Sequence, residues 1–172
     1  MKQTLFLMMG LPGAGKTTAA KMIEELTGAV RLSSDEARLM LWPEPDFSEE
    51  EHQALYEYLN DRTTELLEAG KSVVYDANLN RYVHRKEKYA LAARLKVTPL
   101  LCWVQTPREL AKHRRIDEAS HHHLVTPQDT DAGAMFERIA RIVEEPTKEE
   151  PFVVLDGTKI TSEYITKQLN LS

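Results

Sequence analysis

The residues best suited to chemistry lie near the start of the chain, where Gly10-Leu11-Pro12-Gly13-Ala14-Gly15-Lys16-Thr17 sets out the pattern Gly-x4-Gly-Lys-Thr. Glycines at this spacing let successive backbone N–H groups converge on one point, and a helix starting at the lysine adds the positive end of its dipole. Such a cradle suits phosphate. Gly10, Pro12, Gly13, Ala14, Gly15, Lys16, Thr17 and Thr18 are the residues expected around ATP, with Lys16 bridging its β and γ phosphates and the Thr17 hydroxyl facing Mg²⁺. The alternative is a glycine-rich turn that happens to contain Lys-Thr. Its flanks argue against that: an apolar run precedes it, and Ala19, Ala20, Met22, Ile23 and Leu26 follow at helical spacing.

A second group of residues could serve an acceptor. Asp76 closes the apolar run Ser72-Val73-Val74-Tyr75-Asp76, where parallel sheets present ligands, and is expected to hold Mg²⁺ directly or through water; a strand-ending turn is its structural alternative. In Ser33-Ser34-Asp35-Glu36-Ala37-Arg38, Asp35 and Arg38 fall three apart on the first turn of a helix and so share a face. Asp35 is placed to take a proton from a hydroxyl, and Arg38 to grip an acceptor phosphate. Ser33 and Glu36 also have capping-box spacing, which accounts for Glu36 better than for Asp35. Asp76, Asn78 and Arg81 form a third stretch on the acceptor side. Asn80 reads as a helix cap, and His84, Arg85, Lys86 and Lys88 as a solvated face. Arg114 or Arg115, in a segment that suits a mobile lid, could neutralise charge on a transferred phosphoryl group. His121-His122-His123 invites a metal assignment, but consecutive side chains do not converge on one ion, so a polar lid loop is expected. Asp156-Gly157-Thr158 reads equally well as a plain turn or as an approach to a nucleotide base.

These residues need a scaffold. Apolar runs at Thr4 to Met9, Val30 to Ser33, Ser72 to Asp76, Pro99 to Gln105 and Phe152 to Asp156 alternate with helical patterns, which predicts an α/β fold with a largely parallel sheet. Ser48 to Glu51 has capping-box spacing, Gly70 stops the helix that follows, and Arg81 to Leu95 reads as helix. Thr126-Pro127 resembles a cap followed by a first-turn proline, leading into a stripe of Ala132, Met135, Ile139, Ile142 and Val143. Irregular structure is expected at Trp42 to Asp46 and Asp117 to Val125, with a charged connector from Glu144 to Pro151. The 22 Lys and Arg against 27 Asp and Glu, a net charge of −5, disfavour a protein that coats nucleic acid. The lone Cys102, in an apolar run, excludes an internal disulfide and suits a buried thiol in a reducing cytoplasm; no disulfide-linked partner and no membrane span are expected.

Taken together, the loop, Ser34 to Arg38, Asp76 to Arg81, the helix begun by Glu109-Leu110 and Met135-Phe136 resemble the small P-loop kinases of the polynucleotide 5′-kinase and zeta-toxin-like group, also called AAA-type predicted kinases. The resemblance spans Met1 to Ile142. It implies a P-loop NTPase fold with a five-stranded parallel sheet flanked by helices and a helical lid, here 108–127 of one domain spanning 1–172. It also implies ATP and Mg²⁺ as cofactors, Asp35 as general base and Arg38 as the acceptor-phosphate ligand. The polynucleotide kinases of the group carry two lid arginines about a turn apart, whereas here Arg114 and Arg115 are adjacent and the later positions are Glu118 and Ala119. The expected activity is phosphoryl transfer to a hydroxyl acceptor, either a polynucleotide 5′ end or a small-molecule alcohol. A nucleotide-dependent switch is the alternative.

Overall fold

The structure, a computed structural model, describes residues 2–121 and 131–171. Five strands, β1 (Thr4–Met9), β2 (Val30–Ser33), β3 (Val73–Asp76), β4 (Thr98–Gln105) and β5 (Phe152–Asp156), form one sheet in the order β2-β3-β1-β4-β5, every pair parallel. All six residues of central β1 are buried, as a strand covered on both faces requires. Seven helices accompany the sheet among the described residues: α1 (Lys16–Thr27), α2 (Ser34–Leu41), α3 (Glu49–Glu68), α4 (Tyr82–Leu95), α5 (Arg108–His121), α6 (Ala132–Arg141) and α7 (Ser162–Gln168). Leu5, Leu7, Val73, Tyr75 and Leu101 meet Leu55, Leu59 and Leu66 of α3 and Ala92 of α4 on one face. Phe6, Met8, Val74, Cys102 and Leu155 meet Ala19, Ala20 and Ile23 of α1 and Ile165 of α7 on the other.

Local chemistry sets the element ends. The Ser48 side chain accepts from the Glu51 N–H to start α3, and Gly70, at φ 77, ends the helix as its N–H bonds to Leu67 O. The Ser33 side chain accepts from Glu36 N–H at the start of α2, as its spacing predicts. Strand β3 begins one residue later than expected because Ser72 turns its hydroxyl to accept from Thr4 N–H at 3.0 Å.

Several expectations need correction. Residues 117–121, read as irregular, continue α5 without a break; no glycine or proline interrupts the sequence there, and His113 pairs with Asp117 one turn on. Helix α6 is capped by Asp131, whose side chain accepts from Ala134 N–H at 2.9 Å; the expected cap at Thr126-Pro127, together with His122 and His123 and the end of the expected lid, lies outside the described residues. Asn80 caps nothing: the N-cap of α4 is Arg81, without a side-chain bond, and the Tyr82 N–H is taken by the Glu144 carboxylate. The closing helix α7 was not anticipated.

The largest correction concerns α4. Arg85 and Lys88, expected in solvent, are 0% and 5% exposed, because Arg85, Lys88, Tyr89 and Ala92 fall at helical spacing on its inner face. Both Arg85 Nε and Nη2 donate to Glu150, at 2.7 and 3.0 Å, and Nη1 donates to Leu79 O at 3.1 Å. Tyr89 adds its hydroxyl to Glu150 at 2.8 Å. Lys88 donates to Asn60 and lies 4.8 Å from the Tyr75 ring centre. The charged connector is thereby pinned against α4. Removing one partner of a buried ion pair strands the other charge. Arg85→Met is therefore expected to cost about 3–5 kcal/mol of unfolding free energy, read as a fall in the denaturant midpoint with an unchanged slope.

Candidate functional site

Strand β1 delivers the chain into the glycine loop, and three of its glycines take left-handed or strongly extended positive φ: Gly10 at 154°, Gly13 at 74° and Gly15 at 103°. Space is as restrictive as conformation. A Cβ on Gly10 would come 2.5 Å from Val104 O, and one on Gly13 would collide with Ala111 O of α5. Gly157, beyond β5, fits against Ala14 O and the Thr106 hydroxyl, which itself donates to Ala14 O at 2.8 Å. The loop is thus held from β4, α5 and the β5–α7 turn at once.

Helix α1 begins at Lys16 with no side-chain cap and no acidic residue in its first turn, so its leading N–H groups remain available to an anion. Thr17 and Thr18 are exposed there. Lys16 folds back, donating to Gly10 O and Leu11 O, each at 3.0 Å. Burial lowers its pKa, opposed in turn by Asp76, Asp35 and Glu118. That opposition puts three carboxylates, from β3, α2 and α5, within electrostatic reach of one ammonium group.

Asp76 lies at the carboxyl end of β3, the neighbour of β1, and is 6% exposed. Burial raises its pKa, against hydrogen bonding and charge from Arg31 and charge from Lys16, with Asp35 adding to the rise. Arg31 of β2, absent from the sequence expectations, donates to Asp76 at 2.9 Å, binds Glu36 and approaches Glu24 at 3.6 Å. The hydroxyl of Thr17 and the carboxylate of Asp76 are hard oxygen donors and fit Mg²⁺. Among the described residues no cluster of three or more His, Cys, Asp or Glu side chains is placed to hold a metal ion.

Asp35 is exposed on the first turn of α2 and interacts electrostatically with both Lys16 and Asp76, so the structure brings these three predicted residues together. Arg38 is differently placed. Its guanidinium is bound to the buried Glu51 of α3 and lies 4.9 Å from the Phe47 ring centre, with Nη2 3.5 Å from His52 Nδ1. The His52 and Tyr56 rings, 4.7 Å apart, extend this wall. Burial lowers the His52 pKa and raises that of Tyr56, whose hydroxyl meets the backbone of Asn78. Asn78 itself is exposed, and its side chain accepts from Asn80 N–H at 3.1 Å. Arg81 is exposed at the N-cap of α4.

Both candidate lid arginines lie near the loop. Arg114 Nη1 donates to Gly157 O at 3.2 Å, whereas Arg115 brings its backbone N–H against Gly13. Helix α5 is fixed to α6 through Lys112 and Arg108, both bound to Glu137. The Asp156 to Thr158 turn closes on itself: Thr158 donates N–H and hydroxyl to Asp156, whose pKa falls to about 2. Beside it, a cleft of about 750 Å³ runs from Leu11 and Ala14 past Thr106 and Arg108 to Val154 and Asp156.

The same architecture recurs in solved structures. A putative kinase from Chloroflexus aurantiacus J-10-fl superposes with a TM-score of 0.73 at 16% identity, covering 99% of this chain and 98% of that one. The Mycobacterium tuberculosis APS kinase, solved with AMPPNP and APS, gives 0.68 at 20% identity over 99% and 97%. One chain of an RNA repair complex gives 0.64 at 16% identity over 83% of this chain but 47% of that one. Comparison with curated protein sequences gives no match. The family described as AAA domain matches residues 5–146, so this chain, with its phosphate loop, five-stranded parallel sheet and kinase-type fold, belongs to that family.

Proposed function

We propose that the chain is an ATP-dependent phosphotransferase that moves the γ-phosphate of ATP to a hydroxyl acceptor. The observation that carries this reading is the exposed carboxylate of Asp35 within electrostatic reach of Lys16, the first residue of a helix whose N-terminus has no side-chain cap. A switch needs the cradle; it has no use for a base beside it. In this reading the loop amides and α1 bind the triphosphate, and Lys16 exchanges the Gly10 and Leu11 carbonyls for phosphate oxygens. The acceptor oxygen attacks the γ-phosphorus as the bond to the β–γ bridging oxygen breaks, the hydroxyl proton passes to Asp35, and ADP leaves. Mg²⁺, held by Thr17 and Asp76, would neutralise charge on the phosphates. Arg114 and Arg115 lie on the helix that contacts the loop and are the candidates to stabilise the transferred group.

The acceptor would lie along Asp35, Arg38, Asp76, Asn78 and Arg81. A nucleic-acid end and a small alcohol both fit a hydroxyl entering there, in keeping with similar folds in an APS kinase and an RNA repair complex. Arg38, bound to Glu51, would meet an acceptor phosphate only by sharing its guanidinium. The remaining expectations, one domain over 1–172 with a lid at 108–127 and a cytoplasmic protein without a disulfide-linked partner, belong to the same proposal. Burial pushes the Cys102 thiol up to about 12, and no helix among the described residues is long and apolar enough to cross a membrane.

Labelled ATP offered with oligonucleotides, nucleosides, sugar nucleotides and aminoglycosides tests the activity. Asp35→Asn is expected to lower transfer by about 100-fold or more while retaining nucleotide binding, and Lys16→Ala to lose both. No transfer to any acceptor, with hydrolysis unaffected by acceptors and nucleotide response indifferent to Asp35, would instead support the switch; transfer that survives Asp35→Asn would remove Asp35 as the base. With a polynucleotide acceptor the apparent affinity should fall with salt, whereas a small neutral alcohol should show almost no slope.

Arg31 provides a second test. Arg31→Met leaves the buried Asp76 carboxylate without its guanidinium, so the protonated form is favoured further and the pKa, already raised by burial, rises again. Since Asp76 must be ionised to hold a cation, the acid limb of the pH–rate profile is expected to move to higher pH. An unmoved acid limb would remove Asp76 from the metal site.

A further inference from the structure

We propose that Asn80 is a positioning residue of the phosphate loop, joining Gly10 to the connector that leaves α6. The proposal rests on the nucleotide-binding reading of the loop. Asn80 is 3% exposed, and its side-chain oxygen accepts from Gly10 N–H at 3.2 Å. Its own N–H donates to the Asn78 side chain at 3.1 Å, and its carbonyl accepts from Glu144 N–H at 2.8 Å. One residue thus touches the cradle, the acceptor-side loop and the segment that follows the α5–α6 pair.

The need for such a residue follows from Gly10. Without a side chain, and at φ 154°, Gly10 has little intrinsic torsional preference, so neighbouring groups must set its orientation. Its carbonyl holds Lys16 at 3.0 Å, and the Asn80 bond fixes the amide on the other side of the same α-carbon. A change in the Asn80 bond is therefore a change in where Lys16 rests. The other end is equally well held: Glu144 binds Tyr82 N–H, and the connector is pinned by Glu150 to Arg85, which also donates to Leu79 O, adjacent to Asn80. Movement of α6 would pull on residues 79 to 82, and Asn80 is the member of that loop bonded to the cradle.

Three variants separate the parts. Asn80→Ala removes the side-chain acceptor, Asn80→Asp keeps an oxygen in its place, and Glu144→Pro deletes the amide that holds the Asn80 carbonyl, with Glu144→Ala as the control that retains it. In nucleotide-free protein, hydrogen exchange at Gly10 is expected to quicken by about tenfold in Asn80→Ala, to return toward wild type in Asn80→Asp, and to quicken in Glu144→Pro beyond Glu144→Ala. The dissociation constant of a fluorescent ATP analogue should rise about tenfold in Asn80→Ala while the KM of the acceptor stays within about twofold. A merely structural role would lower the unfolding midpoint and the active fraction but leave that dissociation constant unmoved, and this result would overturn the proposal. So would wild-type exchange at Gly10 in Asn80→Ala. If Asn80→Ala does not fold, Asn80→Ser is read in the same way. Failure of the wild-type protein to bind ATP would defeat the kinase reading, while the exchange measurement would still decide the role of Asn80.

Discussion

Backbone approaching backbone without an intervening Cβ is the constraint on which this structure depends. Gly10 faces Val104 O, Gly13 faces Ala111 O, and Gly157 faces Ala14 O, so β4, α5 and the turn after β5 all reach the phosphate loop at distances that a side chain would forbid. A loop of glycines has high conformational entropy in isolation. Here the surrounding carbonyls and the Thr106 hydroxyl supply the restraint that its own residues cannot. The order of the sheet follows the same need, since central β1 is flanked by β3 with Asp76 and by β4 with Val104.

Around that cradle the charges come in pairs drawn from distant parts of the chain. Arg31 joins Asp76 across 45 positions and Arg85 joins Glu150 across 65, while Arg38 and Glu51 fasten α2 to α3. A buried pair of this kind need not add net stability over an apolar replacement, but it penalises any arrangement that separates its members. The pairs therefore act on geometry. They fix β2 beside β3 and α2 beside α3, the elements that carry Asp76 and Asp35, and the connector beside α4.

Much of this was legible in the chain. The five strands are short apolar runs closed by polar residues or turns, and a period that short needs no knowledge of distant neighbours. The loop and the helix start that carries Asp35 were legible because each is defined by residues a few positions away. Arg85 and Lys88 were misread for the converse reason: a basic residue is assigned to solvent unless its partner is known, and Glu150, Asn60 and Tyr75 lie on other elements. Arg31 was one residue of a short strand pattern and drew no assignment, and Asn80 looked like a cap, because nothing nearby in sequence announces Asp76 or Gly10 as their partner. The adjacent Arg114 and Arg115 are equivalent in sequence, and the Gly157 carbonyl that takes the Arg114 guanidinium lies 43 positions away.

The folded-back lysine has a bearing on turnover. Lys16 already has two carbonyl partners, so an incoming triphosphate must replace internal hydrogen bonds, and its affinity is a difference between two satisfied states. A nucleotide with one phosphate fewer competes less well for the same ammonium group. In the proposed reaction the loop's carbonyls would act as a competing ligand built into the chain, one that favours departure of the spent nucleotide over its retention.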